Sequence, residues 1–335
     1  MTQIDVATKA PESDAAETVA EPVTENTSAA DTPAQSSPTT ATGGAGGHSE
    51  HCVSDRPTPA GQSSTGEIIR INDVETYISK PADYPHAPAR LLLLLTGGTG
   101  LKSTNNQIQA DRFAGEGFVV VMPDLFNGDA APNSSTIDSE DTGSFLDAFK
   151  MKIVETAKSF QIDMWLARQT EERVLPILYK VIEGVKEKFG DAVKNGDGIY
   201  AVGYCIGGRY ILHLGSDKKV TAGGQGLADA EAGEVKTGPF IKVGAIAHGA
   251  SVVPDDFTGI KVPISLVCVE NDPLFPEEVR TYGEDVMSKA NLEHEVQVYP
   301  GVPHGFAVVG EYQDGSIKDA QSTAYEQMLK WIKEH

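Results

Sequence analysis

Short apolar runs recur along this chain, each followed by a stretch of helical periodicity, and that alternation restricts the fold more than any other feature. Residues 90–96, 118–122, 198–204, 242–247 and 263–269 read as buried strands, and His294 to Tyr299 as a further one. Asn105 to Glu116, Asp163 to Phe189, the run up to Leu214, Pro276 to Ala290 and Lys318 to Glu334 read as helices. The second helix is expected to break near Pro176, because proline lacks an N–H and its ring crowds the preceding turn. Strands apolar on both sides need cover on both faces, so a mostly parallel sheet between two helix layers is expected. Ahead of it, Glu67–Ile71 and Val74–Ser79 alternate around Asn72-Asp73 and read as an antiparallel hairpin. The Gly-, Pro- and Asp-bearing stretch from Pro123 to Gln161 reads as a loop region forming part of a cleft wall.

Residues 1–60 have a different character. Ala, Thr, Ser, Pro, Glu and Gly dominate, and only Lys9 and Arg56 stand against Asp5, Glu12, Asp14, Glu17, Glu21, Glu25, Asp31, Glu50 and Asp55. Such a segment buries too little apolar surface to offset its ordering entropy, so a disordered tail is expected there and one domain over residues 61–335. The whole chain carries 27 Lys plus Arg and 48 Asp plus Glu, a formal charge of −21. That balance repels phosphate backbones and anionic lipid, which argues against nucleic-acid and membrane partners. Any anionic ligand would need a local basic group.

Cys52, Cys205 and Cys268 stand in no C-x-x-C spacing, so neither a disulfide framework nor a zinc knuckle is expected, and a reducing compartment fits better. The aliphatic run Leu91–Leu95 is too short to span a bilayer. The amino terminus has no basic region followed by an apolar one, as a secretory signal would. A cytoplasmic location is the expectation.

Ligands on parallel sheets bind at the carboxyl ends of the strands, which directs attention to the residues there. Gly203-Tyr204-Cys205-Ile206-Gly207-Gly208 follows one strand and opens a helix. This is G-x-C-x-G in strand–turn–helix context, the thiol form of a nucleophile elbow. Glycines beside the sharp turn avoid clashes between strand and helix, and unpaired N–H groups at the helix start favour a thiolate at Cys205. The Ile206 N–H is then the first donor to a developing oxyanion. The opposing reading of Cys205 is a small buried hydrophobe, the commoner fate of a free cysteine; the strand and helix on either side favour the nucleophile.

Two later strands run into candidate partners. Residues 263–269 lead to Glu270-Asn271-Asp272-Pro273, and His294 to Tyr299 leads to Pro303-His304-Gly305-Phe306. Cys205, Asp272 and His304 follow the chain order of nucleophile, acid and base on such sheets. The imidazole would accept the thiol proton, and the carboxylate would fix its tautomer. Glu270 competes with Asp272, which is preferred for its place in the turn beyond the strand. His248 ends another strand and reaches the same edge of the sheet; a satisfied histidine in the cleft wall is the expectation for it. Cys268, inside a strand, is expected to be an inert core residue. The loop Thr96-Gly97-Gly98-Thr99-Gly100 lacks the Lys-Ser/Thr of a phosphate cradle and the G-x-G-x-x-G of a dinucleotide site. Its glycines suit close approach to a substrate, with Gly98 as second oxyanion donor and a plain flexible turn as the alternative.

These motifs together resemble the dienelactone hydrolase family, as does Val121-Met122-Pro123-Asp124-Leu125-Phe126-Asn127-Gly128-Asp129. The likeness runs from about Cys52 to the carboxyl terminus and is nearest the fungal branch. It implies a single α/β-hydrolase domain, no metal or organic cofactor, and hydrolysis of enol-lactones or related small esters through a thioester. Two positions depart from the family pattern. Gly97 stands where bacterial members hold the resting thiol with a glutamate, and Val308 where members that bind a substrate carboxylate have an arginine. Weak preference for carboxylated substrates is therefore expected, with Arg168 and Arg209 as the basic residues that could reverse it. A thioesterase, acyl-transfer or cyclising enzyme of a biosynthetic pathway and a non-catalytic scaffold are the competing functions. Monomer and homodimer both stay open.

Overall fold

The computed structural model describes residues 55–131, 162–221 and 235–335. Most of the tail, Cys52 and most of the stretch from Pro123 to Gln161 lie outside the described residues. The hairpin forms as its alternation dictates: β1 (Glu67–Ile71) pairs antiparallel with β2 (Val74–Ser79). Asn72 and Asp73 turn the chain at φ 45° and 68°, left-handed values that Asn and Asp tolerate best among residues with a side chain.

The apolar runs become inner strands of one eight-stranded sheet, and His294 to Tyr299 one of its edges. They are β3 (Arg90–Leu95), β4 (Phe118–Pro123), β5 (Ile199–Tyr204), β8 (Val243–Ala247), β9 (Ile264–Val269) and β10 (His294–Tyr299). The order across the sheet is β1-β2-β4-β3-β5-β8-β9-β10, antiparallel at the hairpin edge and parallel from β4 onward. Between β5 and β8 the short strands β6 (Lys219–Thr221) and β7 (Val235–Thr237) form a separate antiparallel pair.

Alternate side chains of each inner strand enter opposite cores, as the twofold repeat of a strand requires. Leu91, Leu93, Leu95, Val119, Val121 and Ala201 pack against α2 (Glu171–Lys188), α3 (Gly190–Asn195), α4 (Ile206–Leu214) and α5 (Glu277–Lys289). Leu92, Leu94, Val120, Met122, Tyr200 and Val202 pack against α1 (Thr104–Gly115) and α6 (Gly315–Glu334). This is the α/β-hydrolase architecture. Among the described residues no helix is long and apolar enough to cross a membrane.

Two expectations need correction. The helix does not break at Pro176, which lies inside α2. Pro176 forgoes one bond, to the Glu172 carbonyl, and Glu172 is exposed in the first turn where solvent can serve that group. The interruption falls earlier, at Gln169 and Thr170, between α2 and a helical stretch over residues 162–168. The domain also begins before residue 61. Asp55 Oδ1 accepts a hydrogen bond from Ser103 Oγ at 2.7 Å, and the Arg56 carbonyl accepts one from Asn105 Nδ2 at 2.7 Å. The Glu311 N–H donates to the Pro57 carbonyl at 2.8 Å. Residues 55–57 are thus strapped across α1 and the loop after His304.

Candidate active site

The chain passes from β3 to β4 on one side and then to β5 on the other, so a crevice opens beyond the carboxyl ends of β3 and β5. Cys205 sits there, between β5 and α4, at φ 53° and ψ −126°. That conformation is strained for a residue with a side chain and persists only where the surroundings impose it. They do so by hydrogen bonds: the Cys205 N–H donates to the Ala247 carbonyl at 3.1 Å, and its carbonyl accepts from Ala250 N–H at 3.1 Å and Gly208 N–H at 3.0 Å. Close approach explains the following glycine. A Cβ on Gly207 would lie 2.4 Å from the Leu95 carbonyl oxygen, so only glycine lets the first turn of α4 rest on the end of β3.

Asp272 and His304 come to the same place from the turns after β9 and β10. Asn271, at φ 55°, bends the chain so that Asp272 is buried while Glu270 is exposed. His304 Nδ1 is 2.6 Å from Asp272 Oδ2, and the other carboxylate oxygen accepts the Leu274 N–H at 3.0 Å. Burial works against a charged His304. The hydrogen bond to Asp272, and the hydrogen bond and charge of the Cys205 sulfur, outweigh it and raise the His304 pKa to about 9. The fold thus brings the three residues read from the sequence together, with Asp272 hydrogen-bonded to His304 and the Cys205 sulfur beside the imidazole. Cys268, by contrast, points into the core beneath, where burial pushes its thiol up to about 12; such a thiol is unreactive near neutral pH.

The loop after β3 lies directly against the thiol. A Cβ on Gly97 would sit 3.0 Å from Cys205 Cβ and 3.7 Å from its Sγ. The next residue, Gly98, is buried, and its carbonyl accepts the Ala131 N–H at 2.9 Å. Ile206 is the first, fully buried residue of α4.

Apart from Val308, the far wall of the cleft is made of residues with no signal in the sequence pattern. The pocket that reaches Cys205 and Gly97 is also lined by Val308, Tyr312, Asp55 and Arg56. The Arg56 guanidinium lies 4.3 Å over the Tyr312 ring, and burial raises the Asp55 carboxyl above its ordinary range. Among the lining residues Arg56 is the Lys or Arg present. The two arginines named as candidates from sequence, for which a surface charge is the better reading, are paired elsewhere. Arg168 pairs with Asp129 at 3.4 Å, and Arg209 bridges Asp256 and Glu171, each at 2.9 Å. Glu171, His213 and Asp256 cluster as metal ligands would, but the Arg209 guanidinium already occupies two of their carboxylates.

Residues 74–335 match the dienelactone hydrolase family. The chain is 28% identical over 275 residues to the hydrolase tropI of Talaromyces stipitatus, covering 81% of this chain and 90% of that one. It is 27% identical over 273 residues to the hydrolase pyvD of Aspergillus violaceofuscus, again covering 81% and 90%. Among solved structures it resembles a thermophilic esterase of Thermogutta terrifontis with butyrate bound, at a TM-score of 0.53 and 15% identity, over 79% of this chain and 94% of that one. At that identity the likeness is one of fold. Arg56 precedes the matched residues.

Proposed function

The chain belongs to the dienelactone hydrolase family, and from that premise we propose that it hydrolyses lactones or small esters through a thioester on Cys205. The observation that carries this reading is the buried Asp272–His304 hydrogen bond, set beside the Cys205 sulfur at the start of α4. A histidine held protonated beside a cysteine is one half of a thiolate–imidazolium pair, and the thiolate is the nucleophilic form.

In this mechanism the Cys205 thiolate adds to the substrate carbonyl. The Ile206 N–H and the Gly98 N–H, on the peptide that joins Gly97 to Gly98, receive the negative oxygen. The intermediate collapses as the carbon–oxygen bond to the leaving group breaks, and the His304 Nε2 proton passes to the departing alkoxide. That leaves a thioester and a neutral imidazole. His304 then takes a proton from water, the resulting hydroxide adds to the thioester, and collapse releases the acid and restores thiolate and imidazolium. Asp272 holds Nδ1–H throughout, so that Nε2 faces the reacting atoms.

The test is Cys205→Ala. Turnover of aryl esters should fall by several orders of magnitude while circular dichroism and melting behaviour stay native. Most of the activity surviving in a folded Cys205→Ala protein would refute the mechanism. Cys268→Ala should keep its activity.

A further inference from the structure

His248 ends the approach to the same pocket, yet the reaction above makes no use of it. Its side chain is 1% exposed, and neither ring nitrogen has a hydrogen-bond partner among the described residues. The ring lies 4.9 Å from that of His304, 5.9 Å from Tyr204 and 6.2 Å from Phe306, centroid to centroid, and it lines the pocket with Cys205. Burial, and then the charge of His304, hold it well below the ordinary histidine range, so it is a neutral imidazole. Its backbone sits at φ 39°, in the left-handed region that a Cβ disfavours. The chain is pinned there by the His248 N–H donating to Val267 at 2.7 Å, and by Ala247 and Ala250 gripping Cys205 on either side.

Packing alone does not account for this residue. A buried imidazole with unsatisfied nitrogens is costlier than a phenyl ring or a leucine of similar bulk. Strained backbone that aims a polar, unsatisfied group at a reaction centre is the pattern of a group that waits for a ligand. A neutral imidazole offers one donor and one acceptor, so it suits a hydroxyl in either sense, or a carbonyl. The oxygen of the leaving group is already served by His304. The acyl part stays on Cys205, which lines the same pocket as His248.

We propose that His248 binds the substrate, by hydrogen-bonding a hydroxyl or carbonyl oxygen on the second or third carbon of the acyl group. The inference rests on Cys205 accepting that acyl group. It narrows the substrate class to acyl groups oxygenated on one of the two carbons that follow the scissile carbonyl.

The experiment compares phenyl butyrate with phenyl 2-hydroxybutyrate and phenyl 3-hydroxybutyrate, each kcat/KM divided by the hydroxide-catalysed rate of that ester. The unaltered protein should prefer at least one hydroxylated ester by about tenfold or more, because a site built to bond a substrate oxygen discriminates against its absence. His248→Phe should erase the preference, and His248→Gln, which keeps a donor and an acceptor, should retain part of it. No preference in the unaltered protein would overturn the proposal without any variant. Equal loss on all three esters in a folded His248→Phe protein would reduce His248 to a wall residue and also overturn it. If the unaltered protein cleaves none of the esters, the hydrolase reading itself fails and the inference goes with it.

Discussion

A histidine buried as His304 is would lose its proton readily if burial acted alone, and its retained charge depends on Asp272 and Cys205 together. The consequence for stability has a definite sign. The folded pKa of about 9 lies above the ordinary 6.5, so the contribution is complete below 6.5 and is lost as pH rises through about 9. Melting temperature should therefore decline across that window, and the decline should shrink in Cys205→Ala, which removes the sulfur from the relay. A pH series of melting curves on both proteins checks this. In kinetics, kcat/KM should fall as pH rises through about 9, because deprotonated His304 has no proton for the leaving group. Asp272→Ala should lower the His304 pKa and destabilise the fold by about 3–5 kcal/mol, the usual penalty for stranding one member of a buried pair; denaturant titration reads the loss.

At the scale of elements, the strap over residues 55–57 joins three separate pieces of the chain. Removing residues 1–50 should leave the melting temperature and kcat/KM unchanged. Removing residues 1–60 takes away the three hydrogen bonds and Arg56, and should lower the melting temperature by several degrees, since each bond contributes about 1 kcal/mol. Equal melting temperatures for the two truncations would show that the strap adds nothing. Arg56 adds a basic residue at the pocket that could reverse the expected weak discrimination. Arg56→Gln should lower kcat/KM for a carboxylated lactone about tenfold more than for its methyl ester, the worth of a charge-assisted bond; equal losses would place the guanidinium outside the substrate's reach. The sequence reveals the site unevenly, for a physical reason. Cys205 and Asp272 each follow an apolar strand and His304 an alternating one, and both patterns are legible locally. Arg56 is placed by partners such as Asn105, 49 residues away, and its own neighbourhood is polar and carries no periodicity. His248 could be located at a strand end, but its unsatisfied nitrogens are visible only once the pocket closes around it. The pair β6 and β7 was unforeseen because three-residue strands are too short to show alternation.

For the molecule as a whole, the charge of −21 opposes the approach of anionic substrates while leaving neutral ones alone. Raising ionic strength shortens the Debye length from about 30 Å at 0.01 M to about 8 Å at 0.15 M. kcat/KM for a carboxylated lactone should accordingly rise with salt, and that for a neutral ester should stay flat. The proposed function turns on a single chemical event, the transfer of an acyl group to Cys205. The direct measurement is mass spectrometry of the protein quenched in acid during turnover of phenyl butyrate, followed by peptide mapping. One butyryl group is expected on the peptide bearing Cys205, released by hydroxylamine and absent from Cys205→Ala. Steady turnover with no acyl group on Cys205, or with the label on another residue, would contradict it.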